Sequence, residues 1–138
     1  MSIRSIVVGF DGSETSYRAL AMAIGLAGRE HGTVQACFVA HLPATAALGG
    51  FVAPASLLSD PEGDDELAAF VTAELARAGV AGDFTRRSGE VAAELERLAE
   101  ACGADLLVVG RSTHPHLHLG GVPRQLLARG RIPVLVVP

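Results

Sequence analysis

Ala104-Asp-Leu-Leu-Val-Val-Gly-Arg-Ser-Thr-His-Pro-His-Leu-His-Leu-Gly-Gly-Val-Pro-Arg-Gln-Leu-Leu127 reads as strand, loop and helix, and that reading decides the fold. The apolar run from Leu106 to Val109 stops at Gly110, a polar loop follows, and Gly120-Gly121-Val122-Pro123 opens a short amphipathic segment. In an open parallel sheet, ligands bind beyond the carboxyl ends of the strands. There a loop entering a helix supplies free amides and the positive end of a helix dipole. Function is therefore expected in this loop.

The same alternation extends in both directions. Upstream, Ser5 to Ser13 reads as a buried strand ending in the turn Asp11-Gly12-Ser13. Ser13 caps a helix expected from Glu14 to Glu30, with Tyr17, Leu20, Ala21, Ile24 and Ala27 as its apolar stripe and Gly32 as its stop. Thr33 to Val39 is a second strand. Residues 40–60, with Pro43, Gly49-Gly50 and Pro54, read as a long connection, either folded over the crevice as a lid or disordered. Asp60-Pro61 starts a second helix with Leu67, Phe70, Val71 and Leu75 as its stripe and Gly79 as its end. Asp83 to Arg87 is short and polar, as suits an edge strand. After Ser88-Gly89 a third helix carries Val91, Leu95, Leu98, Ala99 and Cys102, and Gly103 stops it. A short helix from Val122 to Ala128 and the strand Pro133 to Val137 close the chain. The pattern predicts one α/β domain over residues 1–138, a doubly wound sheet of five mainly parallel strands with helices on both faces.

Composition bounds the function. A chain of 138 residues can bury about two thirds of its unfolded surface, so no staple is needed. Hydrophobic residues make up 49% and aromatics only 4%, which implies an aliphatic core. The net charge of -4 argues against a nucleic-acid partner, which requires a basic field. All 11 basic residues are arginine, which excludes a catalytic or Walker-type lysine. Cys37 and Cys102 lack CxxC spacing and are expected as two buried small hydrophobes in a reducing compartment. No apolar run approaches the 18 or so residues of a membrane span, so the expectation is a cytoplasmic protein with no membrane partner.

Four segments taken in order carry a resemblance: Ile6-Val-Val-Gly-Phe-Asp-Gly-Ser13, Ser88-Gly-Glu-Val-Ala-Ala-Glu-Leu95, Ala104-Asp-Leu-Leu-Val-Val-Gly110 and Ile132-Pro-Val-Leu-Val-Val137. Together they resemble the universal stress protein family over the whole chain. The resemblance implies a five-stranded α/β sandwich, a homodimer through the C-terminal strand, and a role in stress responses. Some members bind ATP and others do not. In the nucleotide-binding members, as the resemblance implies, an Asp matching Asp11 and a residue near Val39 sit against the adenosine. The phosphates lie on a loop of pattern glycine, two residues, glycine, nine residues, glycine, then Ser or Thr. The positions carried over as cofactor-binding are Asp11, Val39, Gly110, Gly120 and Val122.

This chain departs from the loop pattern after Gly110. Thr113 stands at the second glycine, the segment before Gly120 is three residues shorter, and Gly121 takes the Ser or Thr place. A β-branched residue where glycine takes positive φ costs about 1 to 2 kcal/mol, enough to weaken binding about tenfold. Pro115 and Pro123 offer no amide hydrogen. Arg111 and Arg124 flank the loop, either as phosphate contacts or as solvated surface charges. Asp11 is either a ligand group or a turn residue capping local amides.

His114-Pro-His-Leu-His118 puts three imidazoles at alternate positions, a set that could hold zinc with an open fourth position, touch a ligand or respond to pH, though a structural zinc site would need a fourth ligand. With no acid beside them, an exposed polar loop is expected and no metal is assigned. A hydrolase would want a positioned base, a metal carboxylate and a complete phosphate cradle; Asp11, His114 and His116 do not make that set. Three functions remain. The one favoured by the loop is a dimeric stress-response protein acting through a ligand or an unknown protein partner without strong ATP binding. The others are an ATP-binding stress sensor and a weak nucleotide hydrolase.

Overall fold

The computed structural model describes residues 2–41, 61–111 and 121–138. Nine elements alternate along them: β1 (Ser5–Gly9), α1 (Glu14–Glu30), β2 (Thr33–His41), α2 (Pro61–Ala78), β3 (Ala81–Gly89), α3 (Val91–Cys102), β4 (Leu106–Gly110), α4 (Val122–Arg129) and β5 (Val134–Val137). The strands form one sheet in the order β3-β2-β1-β4-β5. All four pairings are parallel.

β1 and β4 are central and buried on both faces, which is why their apolar residues run without alternation. Ile6, Val8 and Val108 pack under α1 and α2 with Leu20, Ile24, Val71 and Leu75. Val7, Leu107 and Val109 face the other way, under α3 and α4, with Leu95, Leu98 and Leu126. Each such side chain, once buried, contributes about 1.5 to 3 kcal/mol. Helices therefore cover both faces, as expected. Below the sheet, the Asp105 carboxylate accepts from the amides of Arg4 and Ser5 at 2.9 and 3.0 Å and ties β4 to β1.

Several local expectations are corrected. α1 does not stop on Gly32: His31 takes the left-handed conformation at φ 54°, and its amide bonds the carbonyl of Ala27. Gly32 is needed for another reason, since a Cβ there would lie 2.4 Å from the carbonyl oxygen of Arg4. The α1 stripe is Ala19, Leu20, Ala23, Ile24 and Ala27, while Tyr17 and Ala21 are exposed. Tyr17 instead meets Phe10 and Phe70 in a ring cluster with centroids 4.8 to 5.9 Å apart. β2 continues two residues past Val39 because β3 pairs with it in register from Thr33↔Ala81 to His41↔Gly89. The connection expected over residues 40–60 thus begins after His41; the rest of it, with Asp60, lies outside the described residues. Cys37 is buried, but Cys102 is exposed.

Candidate functional site

The strand order reverses between β1 and β4, and a crevice opens beyond their carboxyl ends, where open α/β sheets bind ligands. It encloses about 170 Å³. Asp11, Val39, Gly110 and Val122 all line it, so four of the five expected residues converge from four separate chain segments. Gly120 lies outside the described residues, as do Thr113 and the His114, His116 and His118 run.

Asp11 follows β1 and precedes the α1 cap. Its Oδ1 accepts from the Ser13 amide at 2.9 Å. The Ser13 hydroxyl in turn accepts from the Ser16 amide at 3.3 Å, while the Ser16 hydroxyl donates to the Ser13 carbonyl at 2.8 Å. Desolvation against the crevice wall pushes the Asp11 carboxyl up, but hydrogen bonds from Ser13 and Ser16 outweigh it and hold the group below its ordinary value. The carboxyl is therefore held as an anion beside the cap of α1. Asp11 is the turn-capping group that one of the two readings expected, and it also lines the crevice.

Gly110 closes the junction of β4 with α1. The Thr15 hydroxyl donates to the carbonyl of Arg111 at 2.8 Å. That contact brings α1 so close that a Cβ on Gly110 would lie 2.5 Å from Thr15 Oγ1. Arg111 lines the crevice, whereas Arg124 is exposed on α4 and is not among the lining residues. At the α4 N-terminus the cap residue is Gly121, which makes no side-chain cap hydrogen bond, and Pro123 stands in the first turn. The hydroxyl that the resemblance would place there is missing.

Sequence reasoning missed Phe10, Thr15, Cys37 and Leu95 in this wall. Cys37 was within reach, since it stands two residues before Val39 and period-2 alternation puts both on one face. Burial pushes its thiol up to about 11, with the nearby Arg87 charge opposing the shift. Thr15 and Leu95 depended on how the helices dock. Among the described residues, no group of three His, Cys, Asp or Glu side chains is placed to hold a metal. Among the same residues, no helix is long and apolar enough to cross a membrane.

The sequence model of the family described as "Universal stress protein family" matches residues 2–138. A solved protein of that family from Burkholderia pseudomallei is 30% identical, with 99% of this chain and 96% of that one covered and a TM-score of 0.76. A universal stress protein solved in complex with cAMP is 24% identical, covering 100% and 99% of the two chains, at TM-score 0.76. One from Archaeoglobus fulgidus in complex with dAMP is 19% identical over the full length of both, at TM-score 0.69. The last two likenesses concern the fold. The comparison with curated proteins returned no match.

Proposed function

This chain belongs to the universal stress protein family, and on that premise we propose that it is a stress-response protein that works by binding a ligand or a partner and not by catalysis. The ligand is an adenine nucleotide, held chiefly by its nucleoside half and only weakly by a triphosphate tail. The observation that carries this reading is the convergence of Asp11, Val39, Gly110 and Val122 on one crevice. Relatives solved with cAMP and dAMP support the ligand class. The weak phosphate hold rests on Thr113, the shortened loop and the uncapped Gly121.

Hydrolysis finds little support: of the described residues lining the crevice, Asp11 is the single acid, and Ser13 engages it. We further place the protein in the cytoplasm as one domain, assembled as a homodimer through β5.

A thermal-shift titration with MgATP tests the ligand reading. A ligand at a hundred times its dissociation constant stabilises by about 2.7 kcal/mol, a shift of several degrees in a domain of this size. Millimolar MgATP is expected to give much less. A large saturable shift with micromolar affinity would contradict the weak hold and favour the ATP-sensor reading.

A further inference from the structure

Single apolar side chains at a surface are ordinary, but two large ones in contact there mark a place for a partner. Tyr17 on α1 and Phe70 on α2 form such a pair, 40% and 36% exposed. Their rings meet edge to face with centroids 4.8 Å apart. Phe10, only 1% exposed, backs both, stacked on Phe70 at 5.9 Å and edge-on to Tyr17 at 5.1 Å. Rings already held by a third lose little freedom when a partner covers them, which suits them as anchors of an interface. Ala21, one turn on from Tyr17, and Ala73, three residues on from Phe70, are exposed too. The apolar strip thus continues along both helices without bulk.

Charge selects what covers this strip. Glu66 lies one turn before Phe70 on the same face of α2, with Asp65 beside it, and both are exposed. Neither joins an ion pair among the described residues, whereas Glu14 pairs with Arg18, Asp64 with Arg86 and Glu74 with Arg77. A second copy docked face to face would set this acidic surface against itself. Residues 42–60, which lead into α2, contain no Lys, Arg or His to offset it. The complement is a basic surface on another protein.

We propose that the Tyr17–Phe70 face of α1 and α2 docks a protein partner through a basic amphipathic helix. The apolar stripe of that helix covers the two rings, and its Lys or Arg side chains reach Glu66 and Asp65. Such a helix laid on an apolar strip is a recurring mode of recognition. The inference gives the partner of the proposed function a place on the molecule and does not depend on any nucleotide in the crevice.

Tyr17 is the one tyrosine of a chain without tryptophan, so its emission reports this face alone. The test titrates the whole protein, at physiological salt, with a synthetic amphipathic helix of leucine and lysine; the same peptide with glutamate for lysine is the control. The lysine peptide is expected to bind saturably and change the Tyr17 emission, and the glutamate peptide to do neither. By calorimetry, Phe70→Ala is expected to weaken binding about tenfold and Glu66→Gln about threefold. Should Phe70→Ala fail to fold, the exposed Glu66→Lys provides the second arm, with a loss of about tenfold. No saturable binding, equal binding of the glutamate peptide, or unchanged affinity in the folded variants overturns the proposal. Self-association of the wild type that is lost in Phe70→Ala also overturns it, by assigning the face to a second copy.

Discussion

Gly110 shows how one residue can be found for one reason and matter for another. In the sequence it stood out as the first glycine of a phosphate-loop pattern; in the structure it is fixed by the approach of α1, whose Thr15 carbonyl carbon lies 2.6 Å from where a Cβ would be. Gly110→Ala is expected to cost about 1 to 3 kcal/mol through overpacking, read by urea denaturation, and wild-type stability in that variant would contradict the packing account. The cysteines follow the same lesson, since exposure is set by tertiary contacts that spacing does not encode. Cys37 sits in the crevice wall with its thiol pushed up to about 11, while Cys102 ends α3 in solvent. One fast-reacting thiol per chain is expected with a disulfide reagent at pH 8, abolished by Cys102→Ser. A fast thiol surviving that substitution would contradict the buried state of Cys37.

At the scale of elements, signals that act locally were legible and those that act through neighbours were not. Glu14 to Glu30 was readable as a helix because Ser13 caps it, and the structure reproduces both bounds. The edge position of β3 followed from its polarity, yet its length did not, since β2 and β3 prolong one another to His41 and Gly89. Tyr17 was misplaced in the buried stripe because helical spacing cannot register that Phe10 and Phe70 hold its ring at the surface. β5 lies at the other edge of the sheet, as expected for the last strand, with Val134, Leu135 and Val136 only partly buried. An apolar edge invites another strand, and antiparallel pairing of two copies about a two-fold axis closes without propagating. Sedimentation of the wild type is expected to show a dimer at micromolar concentration, and Val136→Lys to give monomer or aggregate. A stable wild-type monomer would contradict the β5 interface.

For the molecule as a whole, the doubly wound fold was readable because each strand and helix carries its own period, and the crevice followed from strand order by a general rule. Its outline was half legible. Asp11, Val39, Gly110 and Val122 came by resemblance, while Phe10, Thr15 and Leu95 needed the docked helices. The central claim is that this crevice keeps a nucleoside site without a strong phosphate cradle. The Asp11 carboxylate is engaged by the Ser13 amide, and Gly121 brings no hydroxyl to the start of α4. The most direct measurement is the ratio of AMP to MgATP affinity, by calorimetry on one preparation. The account predicts that both bind and that their dissociation constants agree within about threefold, because the added phosphates find few partners, a difference below about 1 kcal/mol. MgATP binding tenfold or more tightly than AMP, or no binding of either, would contradict it.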